Sequence, residues 1–346
     1  MTSVPLYLDH AATTPLLPAA REAMLAGFAY WANPSSPHAQ GRAARAMLEE
    51  ARARVKAALN WQGEVIFTSG ASEAVGLATT RSALPLAGIS AVEHDVVLRH
   101  AGEAQRLAVN GGGLVDLDRC ALPGVVAIQQ VNNETGVIQP LDQIAPAVRG
   151  AGGLLLADCA QGAGKMPLPD ADLIALSAHK FGGPVGVGAL LVKDWSMLLP
   201  SGGQERGYRG GTENLPAIMA MAASLEAGSG WLDTAAELRK LLEAGLVASG
   251  GEVIAGTSPR LPTIGAYRMP GRTARAQLIS FDRQGIAVSA GSACSSGSLR
   301  SSHVLGAMGM ATAAAGEVIR VSIGRETQAG DIERFLGAWT AMRAGT

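Results

Sequence analysis

A chain of 346 residues with 48% hydrophobic residues and a mean hydropathy of +0.19 can bury more than one core, which points to a globular, enzyme-sized protein of two domains. Its formal charge of -1, with no Lys/Arg block and no basic stripe interleaved with aromatics, argues against nucleic acid as a partner. No apolar run reaches the roughly 18 residues that span a bilayer, and "MTSVPLYLDHAATTP" meets Asp9 and His10 before an apolar core forms, so a cytoplasmic location without membrane or secretory signal is expected.

Along the chain, residues 38–59 place Ala44, Met47, Leu48, Ala51, Val55, Ala58 and Leu59 on one helical face, with Glu50 four residues before Arg54 on another. Short runs apolar on both faces then recur: "EVIFTSG", "GISAVEH", "VVAIQQVNNE", "GLLLADCAQ", "DLIALSAHK" and "VGALLVK". Segments of helical pattern such as "DVVLRHAGEAQRLAV" and "LDQIAPAVRGAG" separate them, so the fold class is α/β, a mostly parallel sheet covered by helices. Past about residue 245 the rhythm changes to the strand "LPTIGAYRM", a helix near 272–285, a loop, the strand "EVIRVSIGR" and a last helix from about Gln328. The expected organisation is a segment 1–15 packing with the smaller part, a large domain 16–245 and a small α+β domain 246–346.

Ligands of open α/β sheets bind beyond the carboxyl ends of the strands, and here those ends are polar. They close in Thr68-Ser69-Gly70-Ala71-Ser72-Glu73, Glu93-His94, Asn132-Asn133-Glu134, Asp158-Cys159-Ala160-Gln161 and Ser177-Ala178-His179-Lys180. "TSGASEA" is a small-residue turn opening a helix, a setting that favours an anion such as phosphate and that also caps ordinary helices. "CAQGAGKM" is no phosphate-binding P-loop, because Cys159 and Met166 stand where Gly and Ser or Thr are required. Asp158 ends an apolar strand and needs a cation, either a nearby Arg or a protonated ring nitrogen of a cofactor. Lys180 ends another; burial there would free its amine for Schiff-base chemistry, whereas most lysines are solvated. His94 reads equally as a core histidine, and no HExxH or paired Cys/His spacing suggests a metal.

Cys120, Cys159 and Cys294 are far apart and odd in number, which fits reduced thiols rather than a disulfide framework. Cys294 lies in "SAGSACSSGS", whose composition neither packs into a core nor extends a helix or strand, so a mobile loop is expected there.

Taken in order, "YLDHAATTP", "NPSSPHAQGR", "FTSGASEA", "VEHDVV", "VNNETGVIQPL", "DCAQ", "LSAHKFGGPVGVGAL", "GGQERGYRGGTEN", "SAGSACSSGS", "SHVLGAMG" and "IRVSIGRET" cover nearly the whole chain. They resemble the NifS/IscS-type cysteine desulfurases, members of the class V aminotransferase family within the fold-type I pyridoxal-phosphate enzymes. The resemblance implies pyridoxal 5'-phosphate bound covalently by Lys180, with Asp158 on the ring nitrogen, His94 stacked on the ring and active in acid-base steps, and Gln161 on the phenolate oxygen. It implies Ala71, Ser72, Ser177 and His179 at the phosphate, with Thr212 reaching the phosphate of the neighbouring subunit of a homodimer. Asn133 would lie by the ring and Arg320 would take the carboxylate of L-cysteine. Cys294 would accept the sulfur as a persulfide and pass it to an acceptor protein, such as one serving iron–sulfur cluster assembly or tRNA thiolation. Selenocysteine lyase and other class V aminotransferases are the alternatives. The chain is somewhat short for the family, and Ala290 stands where Ser is more usual.

Overall fold

The computed structural model describes residues 5–291 and 301–344. The chain enters as a short strand, β1 (Leu6–Tyr7), and continues into α1 (Pro18–Gly27), where Pro18 occupies the first turn and its missing N–H costs nothing. Helix α2 (Ala39–Ala58) falls within the predicted span 38–59: the Nδ1 of His38 accepts from Gly41 N at 3.2 Å at its start, and Ala44, Leu48, Ala51 and Val55 lie on its buried face. The expected Glu50–Arg54 pairing gives way to a bidentate contact of Arg54 with Glu226, two bonds of 2.7 Å. A planar guanidinium gains more from two parallel bonds to one carboxylate than from a neighbour along its own helix.

Next come β2 (Glu64–Thr68), α3 (Ala71–Thr80), β3 (Leu86–Ser90), the one-turn α4 (Asp95–Leu98), β4 (Gln105–Leu107), β5 (Val125–Gln129), α5 (Leu141–Gly150), β6 (Leu154–Asp158), β7 (Leu173–Ser177) and β8 (Gly188–Val192). Their strands form a seven-stranded sheet in the order β2-β8-β7-β6-β5-β3-β4. Strands β4, β3, β5, β6 and β7 run parallel, so their carboxyl ends share one edge. Strand β8 departs from the pattern and is antiparallel to both β7 and β2. The connection over 178–187 is too short for the crossover that a parallel return needs. Residues 95–109, helical by sequence pattern, form only one helical turn and an edge strand, with Gly102 at φ 47° in the turn between them.

Helix α6 (Leu215–Glu226) packs against α1 and α2 and is buried along nearly its whole length. Beyond it lie α7 (Leu232–Ala248), β9 (Glu252–Val253), β10 (Ile264–Arg268), α8 (Ala274–Arg283), β11 (Ile286–Ala287), β12 (Ser289–Ala290), α9 (His303–Ala307), α10 (Thr312–Ala315), β13 (Val318–Ser322) and α11 (Ala329–Ala344). The second sheet has the order β12-β13-β10-β9, and β1 returns to pair in parallel with β11. Its own apolar core joins Leu242 and Leu246 of α7 to Phe281, Ile319, Phe335 and Trp339, and takes Leu6 and Leu8 from the start of the chain. Two separate cores flank the large sheet, one on each face, which is why its strands are apolar on both sides.

Candidate active site

The shared edge of β3, β5, β6 and β7 gathers most of the residues the sequence singles out. Asp158 ends β6 opposite Gln129 of β5, and Ser177 ends β7 just before the 3-10 turn Ala178–Lys180. Gln161 follows in the turn after β6, while His94 stands at the N-cap of α4, its Nδ1 accepting from Val96 N at 3.2 Å. Ala71 and Ser72 occupy the first turn of α3. No side chain caps that helix, so its first N–H groups and positive dipole end are free for an anion. Gly70 before it has φ 153° and ψ 179°, a combination open only to glycine. The start of β8 presses against it, since a methyl on Gly188 would lie 2.7 Å from Gly70 Cα and 2.3 Å from the Leu176 carbonyl oxygen.

Lys180 is half-buried, and its Nζ donates to the carbonyls of Ala11 and Ala12 at 2.6 and 2.9 Å. Burial first, then the positive charge of Arg320, lowers its pKa to about 8, against the opposing pull of Asp158 and Asp9. Asp158 is 7% exposed and accepts from Ala160 N at 2.9 Å; burial raises its pKa, while His94 and Lys180 act to lower it. His94 keeps an open side toward solvent, and the protein behind it lowers its pKa by desolvation, partly offset by Asp158. His179 bonds through Nδ1 to the Thr13 hydroxyl at 3.2 Å, and burial beside Lys180 lowers its pKa to about 4. Gln161 is buried, donates to Ala11 O at 2.9 Å, and leaves its Oε1 without a partner.

Arg320, in the middle of β13, approaches from the second sheet. Its Nη1 donates to Asn133 O at 2.9 Å and its Nη2 to Asp9 Oδ1 at 2.7 Å, and its buried Nε has no partner. A buried guanidinium with an unused edge can take a carboxylate ligand. Thr212 is exposed in the segment before α6. That segment is tied down at two points: Glu205 bonds both Arg52 and Phe67 N, and Arg209 pairs with Glu73 of α3 at 2.8 Å. Cys294 lies outside the described residues.

These residues fit pyridoxal phosphate. The free N-terminus of α3 beside Ser177 suits its phosphate, the buried Asp158 its ring nitrogen, the orphaned Gln161 amide a ring oxygen, and the depressed Lys180 amine its carbonyl carbon.

Sequence reasoning gives no role to Asp9, Glu93, Glu134 or Lys165. Asp9 is the ionic partner of Arg320. Glu93 is fully buried, accepts from Ser90 Oγ at 2.6 Å and Gln129 N at 2.8 Å, and is pushed up to about 8 by burial. Glu134 is buried beside Asn133, and Lys165 is buried with its Nζ on Gln161 O at 3.1 Å. The signal that singles out Asp158, a charge set against an apolar run, is also present at Asp9 and Glu93. Among the described residues, no group of three or more His, Cys, Asp or Glu is placed to hold a metal ion, and no helix is long and apolar enough to cross a membrane.

The sheet order, the uncapped N-terminus of α3 and the lysine after β7 fit an enzyme of the α/β pyridoxal-phosphate class, and residues 6–335 match the family "Aminotransferase class-V". The chain belongs to that family and, within it, to the cysteine desulfurases. A cysteine desulfurase of Cereibacter sphaeroides is 38% identical over 96% of this chain and 94% of its own length. One from Rhodobacter capsulatus is 37% identical over 97% and 96%. The solved structure of a NifS-like protein from Rickettsia africae superposes with a TM-score of 0.87 at 30% identity, covering 99% of this chain and all of the other.

Proposed function

We propose that the protein removes sulfur from L-cysteine with bound pyridoxal phosphate, releasing L-alanine and leaving a persulfide on Cys294. The Cβ–S bond of L-cysteine breaks, an S–S bond to the Cys294 sulfur forms and a proton ends on the substrate's β-carbon, so L-cysteine and the enzyme thiol give L-alanine and one enzyme-bound persulfide with no external oxidant or reductant. The observation that carries the reading is the convergence on one N-terminal segment of the Lys180 amine, bonded to Ala11 and Ala12, and the Arg320 guanidinium, paired with Asp9.

Bound pyridoxal phosphate supplies an electron sink for the substrate's α-carbon. Lys180 would hold it covalently and, with its amine poised near neutrality, move the proton at that carbon. Asp158, as the carboxylate, would pair with the protonated ring nitrogen and keep it charged, that cation offsetting the burial that raises the carboxyl pKa in its absence. Ala71 and Ser72 at the start of α3, with Ser177 and His179, would hold the phosphate, and Gln161 the phenolate oxygen. His94, its Nδ1 already occupied by Val96 N, has Nε2 left for acid-base work. Arg320 would exchange Asp9 for the substrate carboxylate, beside Asn133.

In a homodimer the exposed Thr212 would complete the neighbouring phosphate site. The sulfur would pass to an acceptor protein, with iron–sulfur cluster assembly or tRNA thiolation as its uses. A reducing cytoplasm suits an enzyme whose described cysteines, Cys120 and Cys159, are both free and buried. The test is mass spectrometry after L-cysteine is added without reductant. One added sulfur on Cys294 is expected, and Cys294→Ala should abolish alanine release while retaining the cofactor. Sulfur on Cys120 or Cys159 instead, or on none, would overturn the reading.

A further inference from the structure

A cavity of about 10 Å³, room for one atom of roughly water size, lies where the turns after β6 and β7 meet the second sheet. Lys165 and Lys180 line it from the first side, Trp231 at the N-cap of α7, Thr263 before β10 and Arg325 after β13 from the second. Of the residues fitted above to cofactor or substrate, only Lys180 belongs to its wall. Three of the lining side chains are cationic, and among the described residues no Asp or Glu lines the cavity. Lys165 is 7% exposed, and among the described residues its Nζ donates to the Gln161 carbonyl alone, at 3.1 Å, although an ammonium carries three donors. The buried Trp231 Nε1 and Thr263 Oγ1 have no partner. Both residues are held in place: Thr263 O accepts from Ile323 N at 2.8 Å, and the Arg325 guanidinium lies 5.4 Å from the Trp231 ring centre while donating to the Ala227 and Gly228 carbonyls.

We propose that this cavity binds a small monovalent anion of the chloride class, held by the Lys165 ammonium, the Trp231 N–H and the Thr263 hydroxyl, with Arg325 and Lys180 adding positive potential. A buried donor left unpaired and a buried charge left unbalanced both cost free energy. A halide accepts from all three groups and offsets the charge, whereas a water offsets none of it. Because Lys165 comes from the first core's side and Trp231 and Thr263 from the second sheet's side, the anion ties the two parts of the fold together. The folded protein alone offers this site, so stability rises with anion concentration.

The test pairs crystallography with melting of the holoenzyme at pH 7. Crystals grown in sodium bromide should show an anomalous bromide signal in the cavity. In solution, replacing sodium gluconate by sodium chloride at constant ionic strength should raise the melting temperature by about 2 °C for each tenfold rise in chloride above half-saturation. Lys165→Met should remove that dependence. Trp231→Phe, which keeps most of the ring and deletes the N–H, should raise the half-saturating chloride concentration about tenfold, and it carries the test should Lys165→Met not fold. A cavity without bromide, equal melting in chloride and gluconate, or a chloride response undiminished in the folded variants would overturn the proposal.

Discussion

The depressed amine of Lys180 has a quantitative consequence for how cofactor-free protein takes up pyridoxal phosphate. An amine attacks a carbonyl only when neutral, and at pH 8 a lysine with its ordinary pKa near 10.5 is about 0.3% neutral. With the pKa lowered to about 8, about half of the Lys180 amine is neutral at that pH, a gain of roughly 150-fold in reactive nucleophile. The rate of covalent uptake, followed by the appearance of the visible band, should rise about tenfold per pH unit up to about pH 8 and then level. Arg320→Met removes the charge that, after burial, does most to depress the amine, and it frees Asp9 to favour the protonated form, so its midpoint should move to higher pH. A rate that keeps climbing past pH 10 in the parent, or a midpoint that falls in Arg320→Met, would refute the reasoning.

Lys165 is buried, and its pKa is lowered to about 7 by burial and by Lys180. Between pH 7 and its ordinary 10.5 the unfolded chain binds the proton that the folded chain does not, so the parent gains about 1.4 kcal/mol of stability per pH unit there. Lys165→Met should therefore stabilise the cofactor-free protein in urea by several kcal/mol near pH 6, with the advantage shrinking toward pH 10; an advantage that grows with pH would contradict the sign. Glu205→Ala removes the carboxylate bonded to the buried Arg52 guanidinium at 2.8 and 3.1 Å, leaving Glu49 at 3.2 Å as its ionic partner, and should cost about 3 kcal/mol by the same measurement. Gly188→Ala drives a methyl into the Leu176 carbonyl and Gly70, and should weaken phosphate binding, read as inorganic phosphate affinity of the cofactor-free protein, more than it lowers the melting temperature.

Much of this protein is fixed locally. The amphipathic face of α2, the apolar runs of β2, β3 and β5 to β8 and the acid or lysine that ends a buried strand are short-range patterns, because helix and strand periods are set by backbone geometry and a charge at the end of an apolar run is readable wherever the run lies. The tertiary structure decided what depends on meeting across the chain. The direction of β8 followed from its short connection, the helix expected at 95–109 shrank to one turn and an edge strand, and Arg54 left Glu50 for Glu226. The pairing of Arg320 with Asp9 and of Ser302 with Glu134 likewise joins residues with no local pattern in common. Such contacts are chosen by the summed packing of two cores, which brings together side chains that the sequence keeps far apart.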